Sequence, residues 1–162
     1  MILKRLNSAL KTLINAKYIF QDPKKNKLLI FDDTSLDDLE HVLKGMSYFV
    51  LETRIERIKK IYLNFKVILL VIKNFRGNLL SAYLMSLIEI VNPKIIFTFI
   101  DNSYKFSYFA RIKHKNYHFV ALQNGARYEQ NTLKYLKEKK IYTMKYYKFF
   151  IPTYLCFGQN EI

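Results

Sequence analysis

Residues 27–45 read KLLIFDDTSLDDLEHVLKG, and the passage changes period in its middle. Leu28-Leu29-Ile30-Phe31 is an unbroken apolar run, which suits a strand covered on both faces. Asp32, Asp33, Thr34 and Ser35 then supply short oxygen-bearing side chains of the kind that cap a helix start. Asp37 and Asp38 fall in the first helical turn, where the backbone dipole favours negative charge. Leu36, Leu39 and Leu43 share one helical face, and Gly45 stands just past the end. The next apolar run, Tyr48-Phe49-Val50-Leu51, completes a strand–helix–strand unit.

The alternation continues downstream. Glu52-Thr53-Arg54 leaves the second strand and leads into a helical stretch. The span Ile61 to Phe75 lacks turn residues, so it is read as a buried helix, although Val67 to Ile72 alone would fit a strand. After Arg76-Gly77-Asn78, the residues Leu80, Tyr83, Leu84, Leu87, Ile88 and Val91 trace a helix face that Pro93 closes. Ile95 to Ile100 reads as a strand ending at Asp101-Asn102-Ser103. A helix with Phe106, Phe109 and Ala110 inward follows, its last turn basic. His118 to Leu122 is another strand, ending at Gln123-Asn124-Gly125. Leu133 to Lys140 reads as helix and Tyr154 to Phe157 as a last strand. Strands alternating with helices imply parallel pairing through right-handed crossovers. The expected fold is α/β: a Rossmann-like three-layer domain with a mostly parallel sheet over residues 27–162. A basic amphipathic helix and loop over residues 1–26 precede it, with Ile2, Leu3, Leu6, Leu10, Leu13 and Ile14 at helical spacing.

Composition narrows the function classes. The 162 residues are 51% hydrophobic and 16% aromatic, which excludes a disordered tail, and 4 Gly and 3 Pro argue against repeat-rich β or linker architectures. A lone cysteine, Cys156, excludes an internal disulfide framework and a Cys-rich zinc site. It reads as a packed small hydrophobe in a reducing compartment. Lys+Arg number 27 against 13 Asp+Glu, a net charge of +14. Such charge attracts nucleic acid, anionic lipid or phosphorylated substrates without choosing among them. The excess is mostly Lys, in company with Ile, Asn, Tyr and Phe, which is also what AT-rich codons produce. Apolar runs fall short of the roughly 20 residues a membrane span needs, and the first 20 residues do not form a secretory signal. The expectation is a cytoplasmic protein, peripheral at the inner face of the membrane if the basic helix lies on anionic lipid.

Ligands of open α/β sheets bind beyond the carboxyl ends of the strands. The clusters there are Asp32-Asp33, Glu52-Thr53-Arg54, Asp101-Asn102-Ser103 and Gln123-Asn124-Gly125. Asp32 and Asp101 are the candidate catalytic bases. Arg54, Asn102, Ser103, Gln123, Asn124, Gly125 and Arg127 are the candidate substrate-binding residues; the amides suit sugar or phosphate oxygens, and the guanidinium of Arg127 suits an anion. Helix capping and turn formation account for the same residue types at Asp32–Ser35, Asp101–Ser103 and Asn124-Gly125. Neither GxGxxG, GxxxxGK[ST] nor GxSxG occurs, and His41, His114 and His118 have no metal-ligand spacing.

Four stretches in this order, Leu28–Asp33, Leu51–Glu56, Thr98–Ser103 and Ala121–Arg127, resemble the N-terminal half of bacterial surface carbohydrate biosynthesis proteins, which look like GT-B transferases. The motifs carrying the resemblance are the DNS at Asp101–Ser103 and the QNGxR at Gln123–Arg127. The resemblance implies the acceptor-side domain of a glycosyltransferase-like protein of surface polysaccharide biosynthesis, using a nucleotide-activated sugar as donor and a glycan or lipid-linked acceptor. It implies no metal and no other cofactor. It also implies a partner, the C-terminal nucleotide-binding domain that completes a GT-B cleft, in this or a second chain; without it the expected activity is incomplete. Two other classes remain: a basic nucleic-acid-binding domain using the lysines and aromatics from Lys134 to Tyr147, or a non-catalytic interaction domain. Nucleic acid is disfavoured, since no recognition-helix, RRM-like or OB-like pattern appears.

Overall fold

The computed structural model describes residues 10–34, 36–101, 103–123 and 150–155. The readings placed on Asn102, Asn124, Gly125, Arg127, Leu133 to Lys140, Lys134 to Tyr147 and Cys156-Phe157 lie outside the described residues, as does most of the N-terminal helix.

In chain order the elements are a helix described over residues 10–15 (α1), β1 (Lys17–Ile19), β2 (Leu28–Phe31), α2 (Leu36–Leu43), β3 (Tyr48–Leu51), a 3-10 turn (Ile55–Arg57), β4 (Lys60–Tyr62), α3 (Phe65–Asn74), α4 (Leu79–Val91), β5 (Ile95–Thr98), α5 (Tyr104–Lys113), β6 (His118–Leu122) and β7 (Thr153–Leu155). Hydrogen bonding orders β3-β2-β5 in parallel and pairs β6 with β7 in parallel, with β1 and β4 in a separate two-stranded sheet. The fold is α/β, a parallel sheet flanked by helices in the Rossmann-like manner. The chain divides into two compact units, Met1–Phe97 and Thr98–Ile162.

In the first unit β2 is the middle strand, pairing with β3 through Leu28↔Tyr48 and with β5 through Leu28↔Ile95. Its unbroken apolar sequence follows from this position: Leu29, Ile30 and Phe31 are all buried, so neither face requires polar residues. Helix α4 is apolar nearly all round and correspondingly buried, with Leu84, Ile88 and Val91 inside. Each such side chain contributes about 1.5–3 kcal/mol on leaving water. The helix starts where Asn78 Oδ1 accepts from the Ser81 N–H at 2.8 Å. It stops at Asn92, left-handed at φ 49°, whose N–H donates to Ile88 O at 2.9 Å. Pro93 follows.

Three local expectations require correction. The chain after Arg54 makes only a 3-10 turn, then forms β4, because its Lys17↔Lys60 parallel pairing with β1 uses up those backbone groups. Residues 17–19, within the span read as amphipathic helix and loop, are likewise strand. Helix α3 is present, but only Val67 among its residues is buried; most of its surface is outside.

The second unit packs α5 on β6. Phe106, Phe109, Ala110, Phe119 and Ala121 are buried, and the rings of Phe106 and Phe119 meet edge to face at 5.4 Å between centroids. Strand β7 pairs parallel with β6, Ala121↔Tyr154, and the Gln123 N–H donates to Leu155 O at 2.8 Å, extending the ladder by one bond.

Candidate functional site

In the first unit, β2 and β3 run side by side and end together, so Asp32 leaves one strand as Glu52-Thr53-Arg54 leaves the other. The Asp32 N–H still donates to Leu51 O at 3.0 Å, and the residue then turns to φ 81°. That left-handed conformation costs a non-glycine residue about 1–2 kcal/mol. Bonds to its carboxylate offset the cost. Oδ1 accepts from the Thr34 N–H at 3.0 Å, closing an Asx turn. Oδ2 accepts from the Thr53 hydroxyl at 2.5 Å and from Arg54 Nε at 3.2 Å. Asp32 and Thr53 are both buried, whereas the Arg54 side chain is 38% exposed.

Burial alone pushes the Asp32 carboxyl up. The hydrogen bonds from Thr34 and Thr53 and the charge of Arg54 outweigh it, so the net shift is below the ordinary aspartate value. Asp32 is therefore a fixed anion at neutral pH and a weak proton acceptor. Its part is to hold Thr53 and to aim Arg54, whose bond to it uses Nε and not the terminal amino groups.

A parallel arrangement lies beside it. Arg57, on the 3-10 turn, donates from Nη1 to Thr34 Oγ1 at 3.0 Å and lies 3.5 Å from Asp33 Oδ1. That is ion-pair distance without hydrogen-bond alignment, and Asp33 Oδ1 is buried with no hydrogen-bond partner among the described residues. Two consecutive acids at the end of β2 thus face two guanidiniums three residues apart after β3. The sequence pointed to Asp32 and Arg54; Arg57 and Thr34 were missed. The i, i+3 spacing of Arg54 and Arg57 was the available signal.

A separate concavity of about 250 Å³ runs along β3 between Tyr48, Phe49, Glu52, Lys60, Tyr62 and Tyr83. Glu52 Oε2 accepts from the Lys59 N–H at 2.6 Å, and Tyr83 Oη accepts from the Tyr62 N–H at 2.8 Å. Burial pushes the Tyr83 phenol up to about 12. These groups tie β4 to its neighbours, and their polar atoms are largely committed to backbone.

In the second unit, Asp101 is buried and accepts from the Tyr154 hydroxyl at 2.7 Å. Ser103 Oγ accepts from the Phe106 N–H at 3.3 Å, so this residue caps α5. Gln123 is fully buried at the end of β6. Tyr154 was legible only as a strand residue; its bond to Asp101 joins positions too distant for any local pattern. Among the described residues, no group of three His, Cys, Asp or Glu side chains is placed to hold a metal ion.

Comparison with family models, with curated proteins and with solved structures finds no match to this chain.

Proposed function

We propose that the chain binds a phosphate-bearing ligand at the Arg54/Arg57 rim, as the acceptor-side domain of a glycosyltransferase-like protein of surface polysaccharide biosynthesis. The observation that carries the anion site is the commitment of Asp32: a buried, ionised carboxylate fixes Arg54 at the carboxyl end of a parallel strand, where α/β sheets receive ligands. Arg57 adds a second guanidinium, held by Thr34. Guanidiniums fixed in this way recognise phosphate with less entropy to lose than free side chains do. The sugar-transfer part rests on the resemblance of the DNS and QNGxR motifs. In it Asp101, rather than Asp32, takes the proton from an acceptor hydroxyl as that oxygen bonds to the anomeric carbon and the donor's phosphate leaves with its electron pair. The natural acceptor would be lipid-linked, which places the chain peripherally at the inner face of a membrane.

Calorimetry of the whole chain with pyrophosphate and with nucleoside-diphosphate sugars tests the anion site. Arg54→Ala and Arg57→Ala are each expected to weaken binding at least tenfold. A wild-type chain that binds neither probe, or binds equally after both substitutions, removes the proposal. Sugar transfer to a polyprenyl-phosphate acceptor, lost in Asp101→Asn, tests the chemistry; transfer unaffected by that change removes Asp101 as the base.

A further inference from the structure

Helix α3 faces outward with the wrong surface for water. Phe65, Ile68, Leu69 and Ile72 recur at i, i+3, i+4 and i+7, so they form one stripe, and they are 77%, 43%, 50% and 68% exposed. Val67, pointing the other way, is 1% exposed and fixes which face is the inner one. Phe75, just past the helix end, and Leu79, the first residue of α4, are exposed as well. Beside the stripe lies an apolar groove of about 480 Å³ bounded by Leu13, Ile58, Ile68, Ile72, Leu79 and Tyr83. Contiguous exposed apolar surface of this kind marks a place where something docks.

The charges select the occupant. On the helical wheel Lys66 and Lys73 are seven residues apart and flank the stripe on one side. Lys59, Lys60 and Arg76 are exposed close by in sequence, and Glu56 is the one acid between Ile55 and Leu80. Lys66 is tied to Asp22 at 3.0 Å, an exposed pair that leaves its charge near the surface. A second copy of this chain seated on the same face would set lysine against lysine, in a molecule already at +14. An anionic bilayer complements both parts at once: acyl chains receive the apolar stripe, and headgroup phosphates receive lysines that snorkel outward.

We propose that the α3 stripe docks on an anionic lipid surface, with the helix lying in the plane of the interface. Ten residues span about 15 Å, half the hydrocarbon thickness, and no helix among the described residues is long and apolar enough to cross a membrane. The docking element proposed is α3; the N-terminal basic helix that the sequence suggested lies mostly outside the described residues. This deepens the membrane-facing part of the reading above but uses none of its residues, so either can fail alone.

The test is flotation of the whole chain with phosphatidylcholine vesicles and with vesicles that also contain phosphatidylglycerol, whose anionic headgroups attract basic surfaces. Wild type is expected on the anionic vesicles. Ile68→Ser combined with Ile72→Ser, which leaves the charge unchanged at exposed positions, is expected to lower partitioning about tenfold. Lys66→Gln and Lys73→Gln are each expected to lower it roughly fivefold. Arg54→Ala is expected to leave it unchanged, whatever that substitution does to pyrophosphate binding. Circular dichroism of each variant confirms that folding is retained. Failure of wild type to float with anionic vesicles overturns the proposal, as does full binding by the double serine variant, which would assign attraction to net charge alone. A dimer in gel filtration that the double serine variant dissociates, without lipid binding, would give the face to a second copy and equally overturn it.

Discussion

Replacing Asp32 with alanine removes an acceptor shared by Thr34, Thr53 and Arg54. Hydrogen bonds to a charged group contribute about 1.5–3 kcal/mol each. The Arg54 bond contributes little here, because that side chain is 38% exposed and water replaces the carboxylate. The bonds from the Thr34 N–H and the buried Thr53 hydroxyl dominate, giving an expected loss of about 3–5 kcal/mol for Asp32→Ala. Asp32→Asn keeps the shape but must set an amide N–H against a donor, for a loss of about 2 kcal/mol. Asp32→Gly loses the same bonds as alanine but relieves the φ of 81°, so it is expected to be more stable than Asp32→Ala by about 1 kcal/mol. The folded carboxyl titrates below its ordinary value of 3.8. Its charge-dependent stabilisation is therefore complete above that pH and lost as pH falls through the folded value. Urea unfolding followed by circular dichroism at pH 7 and pH 3 measures all four chains. The gap between wild type and Asp32→Asn should narrow on acidification. A loss below about 1 kcal/mol for Asp32→Ala, or a gap independent of pH, would refute the placement of Asp32 as a buried, ionised anchor.

Other substitutions probe the remaining elements. Tyr154→Phe deletes the 2.7 Å bond to Asp101 and should cost about 1–2 kcal/mol by urea denaturation. Asn64→Ala removes the α3 cap, whose Oδ1 accepts from the Val67 N–H at 2.9 Å, and should cost about 1 kcal/mol and speed exchange of that amide. The Tyr83 phenol, raised to about 12, contributes stability present below the ordinary tyrosine value of 10 and lost as pH rises through the folded one. Absorbance titration should show a late tyrosine component that Tyr83→Phe abolishes. Phe119→Ala opens a cavity against Phe106 and should cost about 3–5 kcal/mol in thermal or urea unfolding.

The elements legible in the sequence were those whose neighbours make them locally distinctive. Strand β2 shows as an apolar run because both its faces are covered, β3 shows as one although it is an edge strand with only Leu51 buried, and α4 is bracketed by Asn78 and Pro93. Strands β1 and β4 were not legible: each is three residues with a lysine, and they exist because they pair with each other across a long stretch of chain. Helix α3 was read correctly as helix but wrongly as buried, since apolar content fixes hydropathy, not which face a neighbour covers. At the candidate site, Asp32 and Arg54 could be named from their place after strands. Their ion pair, the left-handed turn and the third partner Thr53 are products of two strands ending in register, which no local pattern records. Gln123 was named as a substrate-binding amide from its place after β6; the structure adds that its N–H donates to Leu155 O and that the residue is fully buried, which no local pattern records.

The position of β2 also has a consequence for how the chain is made. Leu28 lies opposite Tyr48 on one side and Ile95 on the other. At roughly 5–20 residues per second of synthesis, the second neighbour leaves the ribosome seconds after the first. During that interval one long edge of an apolar strand is open in the nascent chain. The half-built sheet is then a substrate for chaperones and for misassociation with other nascent chains, and the vulnerable window closes only when β5 arrives.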